Sequence, residues 1–404
     1  MDGTGRAPAT HPVVFLPLYL PFSLPIGFVS VALARRLHDA GVSTTGIGML
    51  VALMIGIQLI KVLWAPIVDA SFGFRRWYAM AAVLSALAIA AIGATPADPA
   101  SLPALTVLAV VLSIAGSFMG MATEGLMAYA TQPDARGRAG GWSQAGNLLG
   151  GAVGGGAGLW LATHLHPQWA AGAVLGLIPL TCAGALAFVH APNRRGPDAP
   201  AEPGLVGVAK DAWGMLRSRQ GRLTLLLFAL PVGCGAAANL VGALAGDWKV
   251  SADLLAALAG LGSGTASVVG AIIGGYVCDR LDRKTAYLAF GFLLAAIALG
   301  MALAPRTPLM FVAFALAYAA ASGLVQAAFA AVTLETIGLG AAATKFTLFA
   351  ALNNAPFAYM ALVEGWAHTR WNAGAMLALE GAMGIGSGLA FIAVVLATRR
   401  RRGG

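Results

Sequence analysis

Gly275-Tyr276-Val277-Cys278-Asp279-Arg280-Leu281-Asp282-Arg283-Lys284 closes one long apolar block of this chain and opens the next. Roughly half a chain length earlier, Ala65-Pro66-Ile67-Val68-Asp69, followed by Gly73-Phe74-Arg75-Arg76, does the same. Each stretch sets an acid and several bases in a tight turn between apolar blocks. Recurrence in register divides the 404 residues into two homologous halves. The flanking blocks run to about 20 residues, enough to cross a hydrocarbon layer roughly 30 Å thick as helix.

Composition agrees. Hydrophobic residues make up 59% of the chain and charged residues 10%, against about 25% charged in an ordinary soluble domain. Only helices or closed barrels span a bilayer, because every backbone amide there must be bonded within the protein. Blocks of this length are too long for barrel strands. The chain therefore reads as an all-α, multi-pass membrane protein in contact with the lipid bilayer. Cys182, Cys234 and Cys278 fall in or at the ends of apolar blocks, without metal-binding spacing, and read as small apolar residues. The first block, Val13 to Ala34, is long and lacks a clear cleavage site, so it reads as a span rather than a removed leader.

Twelve spans are expected, at 13–34, 45–68, 77–95, 102–125, 139–163, 168–190, 222–246, 253–277, 285–304, 308–334, 346–367 and 373–397. The longest break carries Pro192, Arg194, Arg195, Pro197, Pro200 and Pro203, and Pro and Gly punctuate loops. It makes 192–221 a linker between a first half, 1–191, and a second half, 222–404. Trp213 to Leu226 reads as an amphipathic lead-in to the seventh span. With both termini on the cytoplasmic side, nineteen Lys and Arg fall in inner segments and five in outer loops (Arg35, Arg36, Lys249, Arg306 and Arg370). Lys61, inside a span, completes the 25. This bias fixes an inner-membrane orientation. It accounts for the net charge of +9 without a nucleic-acid partner.

An acid at the inner end of a span can pair with bases on neighbouring spans, locking one conformation and releasing another. Glu124 ends the expected fourth span and Glu335 the tenth, at the repeat spacing of the two turns. Two inner networks are therefore expected: Asp69, Glu124 and Arg136, then Asp279, Glu335 and Lys345. Arg75, Arg76, Arg280 and Arg283 are the bases of the turns. Simple solvation of interfacial charge is the alternative.

The motif Gly275-x-x-x-Asp279-Arg280-x-x-Arg283-Lys284 resembles the loop signature of the major facilitator superfamily. Leu59-Ile60-Lys61-Val62-Leu63-Trp64-Ala65-Pro66-Ile67-Val68-Asp69 is more specific. With Leu24-Pro25-Ile26-Gly27-Phe28, Leu37-His38-Asp39-Ala40-Gly41-Val42 and Arg136-Gly137-Arg138-Ala139-Gly140-Gly141, it resembles AmpG-type muropeptide permeases and their relatives. Those relatives include acetyl-coenzyme A transporters and siderophore permeases. The resemblance covers the first half best, to about residue 165. It implies twelve transmembrane helices in two six-helix repeats, and secondary transport by alternating access. The cargo it implies is a polar or anionic organic solute such as a muropeptide or siderophore. The proton is the expected coupling ion and a monomer the working unit. The chain departs from the group in Ala122-Thr123-Glu124-Gly125-Leu126-Met127-Ala128-Tyr129, where Glu124 is the single acid. A non-transporting assembly factor on the same fold is the alternative.

Ionisable groups inside apolar blocks are costly and mark function. Lys61 reads as the ligand of a carboxylate or as a side chain snorkelling to the inner interface. Glu364 reads as exposed near the outer end of the eleventh span. Glu380, about 12 Å into the twelfth at 1.5 Å per residue, is the candidate proton carrier. Tyr19, Gln58, Gln144, Asn147, Asn239, Gln326, Asn353 and Asn354 are polar groups near mid-membrane, and bind cargo or bond helix to helix. Glycines four apart (Gly150, Gly154 and Gly158, then Gly260 with Gly264 and Gly270 with Gly274) let helices approach closely; the resemblance implies that the fifth and eighth spans meet and that these faces slide during alternating access, with close static packing as the alternative. His164-x-His166 supplies two ligands only, in a surface loop. With no Walker A, HExxH or GxSxG pattern, no enzyme, cofactor or metal is expected.

Overall fold

The computed structural model describes residues 10–167, 169–190, 204–258 and 262–400; the side chains of Asn239, Leu240, Ala243, Arg399 and Arg400 lie outside that set. Residues 192–203 of the expected linker, Gly260, and the arginines at 6, 194, 195, 401 and 402 also lie outside it. The described residues form helices and no strands. Among the described residues, nine helices are long and apolar enough to cross a membrane. They are α1 Pro12–Asp39, α2 Thr44–Leu63, α4 Phe74–Ala94, α5 Leu102–Ala130, α8 Trp169–Phe188, α14 Arg283–Leu303, α15 Pro308–Ile337, α16 Ala342–Arg370 and α17 Ala373–Arg400, of which the last qualifies over Ala373–Thr398. Shorter pieces complete the order: α3 Ala65–Ala70, α6 Arg136–Ala152, α7 Gly158–His164, α9 Leu205–Arg217, α10 Arg219–Ala229, α11 Val241–Ala245, α12 Ala252–Ala257 and α13 Ser263–Cys278.

Three expected spans are not single regular helices. The fifth runs as α6, a π turn over Val153–Ala157, and α7. The eighth begins as α12 and resumes as α13, with 259–261 undescribed. The seventh is broken. α10 stops at Ala229, Leu230 is extended (ψ 149°), and Gly233 and Gly235 take positive φ of 67° and 73°. Pro231 is the physical reason: it offers no N–H to the preceding turn and forces its predecessor out of the helical region. The two glycines then accept left-handed backbone that other residues resist. The amphipathic lead-in begins earlier than expected, as α9. Ser218 then caps α10, its hydroxyl accepting from the Gly221 amide at 2.9 Å.

The chain divides into two compact units. The first holds residues 1–135, 146–212 and 338–347; the second holds 136–145, 213–337 and 348–404. Each unit thus includes a short segment from the other half of the sequence.

In the first unit, α4 packs on α8 and α5, and α1 lies along α5. Leu24, Phe28, Leu33, Leu50, Met54, Ile89, Leu105 and Leu175 build one core there. The π turn Phe28–Leu33 of α1 lies against the π turn Val153–Ala157. In the second unit, α13 packs closely on α15, and α14 packs on α15 and α17. Trp248, Leu294, Met301, Phe311, Tyr318 and Leu377 belong to its core.

The glycine faces differ from expectation. A Cβ on Gly150 or Gly154 would stand 2.0 or 2.1 Å from the Leu20 or Leu24 carbonyl oxygen, so that face meets α1. Gly158 lies against Phe28 and Ala32 of the same helix. Gly270 and Gly274 face Ala320 and Leu324 of α15, and Gly264 has open space. The close approach to the eighth span comes from Gly137 and Gly141, whose added Cβ atoms would meet the Gly275 and Ala271 carbonyl oxygens at 2.5 and 2.6 Å. Small residues let backbones touch here, where dispersion and not water exclusion holds helices together.

Candidate functional site

α2 gives way to a 3-10 turn at Lys61–Leu63, and α3 restarts with Pro66 in its first turn, where a missing N–H costs nothing. This irregularity puts Lys61 inside the first unit, 6% exposed. Its Nζ lies 3.8 Å from Oε1 of Glu124, which is fully buried on α5. The Tyr19 hydroxyl of α1 donates to the same Oε1 at 2.7 Å, and the Thr347 hydroxyl donates to Oε2 at 3.3 Å. Nζ also stands 4.6 Å from the Phe22 ring centroid, over a face that attracts cations. Lys61 does not snorkel: its charge is held within the protein. Glu124 likewise lies six residues before the end of α5, away from Arg136. A buried ion pair of this kind is seldom a net gain in stability, since desolvation of both ions offsets their attraction.

Neighbouring polar side chains tie α2 to α5. Gln58 Nε2 donates to the Ser113 carbonyl at 3.0 Å and to its hydroxyl at 3.2 Å. Trp64 Nε1 donates to the Ser117 hydroxyl at 3.2 Å. Gln58 is thus a helix-to-helix bond beside the ion pair.

The acids of the two turns do not join the expected networks. Asp69 caps the start of α16, accepting from the Ala343 amide (3.2 Å), the Thr344 amide (2.7 Å) and the Thr344 hydroxyl (2.7 Å). Asp279 caps the start of α6, accepting from the Gly137 and Arg138 amides (2.7 and 3.2 Å) and from Arg138 Nε (2.6 Å). A carboxylate at a helix N-terminus satisfies orphan amides and meets the positive end of the helix dipole. The remaining charges pair separately. Arg283 bonds Glu335 at 2.9 Å, and Arg136 stands within electrostatic reach of both. Lys345 bonds Asp211 at 2.7 Å and the Leu339 carbonyl at 3.1 Å. Arg75 donates to the Val189 carbonyl, whereas Arg76 and Arg280 are exposed. Asp69 with Glu124, and Asp279 with Lys345, are therefore corrections. The fifth and eleventh spans begin with free amides that attract those acids, and the repeat spacing alone did not reveal them.

Among the amide candidates, Gln144 is buried and Asn147 half-buried on α6, and the Asn147 carbonyl accepts from Ser23. Asn353 accepts from the Tyr287 hydroxyl at 3.3 Å. Gln326 is half-buried on α15 and Asn354 exposed. The Asn239 side chain lies outside the described set.

The second unit holds a cluster that the sequence reading missed. Glu364 is fully buried rather than exposed. One ligand atom from each of Glu364, Glu380 and Cys234 lies within 4.8 Å of the others. The Tyr318 hydroxyl donates to Oε1 of Glu380. A signal existed: Glu364 and Glu380 are equally distant from Asn372, at the turn where α16 reverses into α17.

Comparison with known proteins matches this architecture. Residues 14–244 match the Major Facilitator Superfamily. The chain is 26% identical to the anhydromuropeptide permease of Escherichia coli K12, over 87% of this chain and 73% of that protein. Its fold is shared with the E. coli fucose:proton symporter FucP (TM-score 0.68, 14% identity, 94% of this chain and 98% of the other). The human organic anion transporter MFSD10 is alike too (TM-score 0.67, 17% identity, 94% and 98%). The all-α helical fold, the internal charge sites and the match over more than half its length make this chain a membrane transporter of the major facilitator superfamily, not an enzyme.

Proposed function

We propose that the protein is a secondary active transporter that moves a polar, anionic organic solute of the muropeptide kind across the inner membrane, driven by a proton gradient. The observation that carries this reading is the buried Lys61–Glu124 pair. At 3.8 Å it is looser than the roughly 2.7–2.9 Å of a direct charge-assisted bond. A solute carboxylate can therefore compete for Lys61, while Tyr19 and Thr347 keep their bonds to Glu124. An ammonium offers three rotatable donors, which suits such an exchange of partners. The caps by Asp69 and Asp279 are the bonds that open and re-form in the cycle, at the end expected to face the cytoplasm. The likeness to the anhydromuropeptide permease supports the cargo class, and the shared fold with proton symporters supports the drive.

The test is uptake of labelled anhydromuropeptide into cells lacking their own permease, with and without an uncoupler. Gradient-dependent uptake that falls at least about tenfold in Lys61→Gln is the expected result; about 1.4 kcal/mol of lost interaction suffices for that factor. No uptake by well-expressed wild-type protein overturns the cargo, and uptake indifferent to the uncoupler overturns the drive.

A further inference from the structure

The broken seventh span brings three ionisable side chains from three segments to one buried point. Glu364 comes from α16, Glu380 from α17 and Cys234 from the break itself, with facing atoms within 4.8 Å. Glu364 is 0% exposed, and neither of its carboxylate oxygens has a hydrogen-bond partner. Glu380 is 5% exposed; Tyr318 donates to one oxygen and the other has no partner. The backbone amides of Ala236 and Ala237, freed by the break, face Glu380. The titratable groups around the pair are Tyr318 and Cys234, both neutral in their protonated forms. Among the described residues no Lys, Arg or His forms an ion pair with either acid.

Two ionised carboxylates at this separation in a buried site repel each other, and Glu364 has no hydrogen bond to offset its charge. An arrangement with both oxygens of Glu364 unbonded is costly unless a cation occupies the gap. We propose that Glu364 and Glu380 hold one proton between them and form the coupling site of the transport cycle, an assignment that rests on the transport reading above. Glu380 carries the charge, because the Tyr318 hydroxyl and the two amides face it. Glu364 carries the proton and offers it back to Glu380. Loss of that proton leaves two like charges together beside Cys234 of the break. A cavity of about 270 Å³ shares Ala237 and Tyr318 with the pair; its wall is mostly apolar, with the hydroxyls of Ser263, Ser267 and Ser322 set into it. Met301 on its wall lies near the end of α14 away from the Asp279–Lys284 turn.

The experiment uses the purified full chain in liposomes and needs no substitution for its first arm. Dicyclohexylcarbodiimide reacts with a protonated carboxyl in apolar surroundings, and the adduct is located by peptide mass spectrometry. Expected are an adduct on Glu364 that declines as pH rises, indifference to added sodium, and a changed pH profile in Glu380→Gln. No adduct on either acid across the pH range, or displacement by sodium at fixed pH, overturns the shared proton. In the second arm, Glu364→Gln and Glu380→Gln keep exchange of labelled for unlabelled muropeptide but lose gradient-driven accumulation at least tenfold. Wild-type accumulation in both variants overturns the coupling role. If the wild-type protein exchanges no muropeptide, the cargo is wrong and the labelling arm still decides the pair.

Discussion

At the scale of single residues, the Lys61–Glu124 pair separates function from stability. Each partner is buried, so removing one leaves an uncompensated charge and costs about 3–5 kcal/mol. Replacing both with neutral groups of similar size removes that penalty. Lys61→Met and Glu124→Gln are each expected to lower the melting temperature of the detergent-solubilised protein. The double variant recovers most of that loss yet takes up no muropeptide. Double-variant stability as poor as that of either single change would show that the two charges do not answer each other. Lys61 and Glu124 were both legible as unusual, since an ionised group in an apolar block stands out in any sequence. Their partnership was not, because it depends on the 3-10 turn at Lys61–Leu63 and on the depth of Glu124 in α5. Glu364 shows the same limit: its position near a helix end suggested exposure, and the fold buried it.

Among elements, α1 and the fifth span approach backbone to backbone. A Cβ on Gly27 would stand 2.1 Å from the Gly151 carbonyl oxygen, whereas one on Gly151 would meet nothing within 4 Å. Gly27→Val is therefore expected to give little folded protein by size-exclusion chromatography, as backbone cannot yield there. Gly151→Ala, in a helix with free space, is expected to be neutral or to stabilise by about 0.5–1 kcal/mol in thermal melts. Equal behaviour of the two would contradict the crossing. The helices themselves were readable from apolar length. The break in the seventh was not read: Pro231, Gly233 and Gly235 carry it, but the apolar run around them read as one span. The π turns had no sequence signal: Phe28–Leu33, without a glycine, lies against the glycine-rich Val153–Ala157.

For the whole molecule, the distribution of Lys and Arg sets the topology expected in the bilayer. Gln132 and Ala100 are both exposed, in the turns after and before α5. With the three native cysteines replaced by alanine, Ala100→Cys is expected to react with a membrane-impermeant maleimide on intact cells. Gln132→Cys should react only after permeabilisation, and the reverse pattern would invert the orientation. The sequence by itself determined that this is a helical membrane protein with a repeated architecture. Hydrophobicity and charge are properties of each residue alone, and the bilayer sorts them by length and depth. Tertiary structure alone decided which acid meets which partner: Asp69 with Thr344, Asp279 with Arg138, Glu124 with Lys61 and Glu364 with Glu380. Such pairings belong to two residues at once, often far apart in the chain, and are fixed by which helices pack together and where their free amides point.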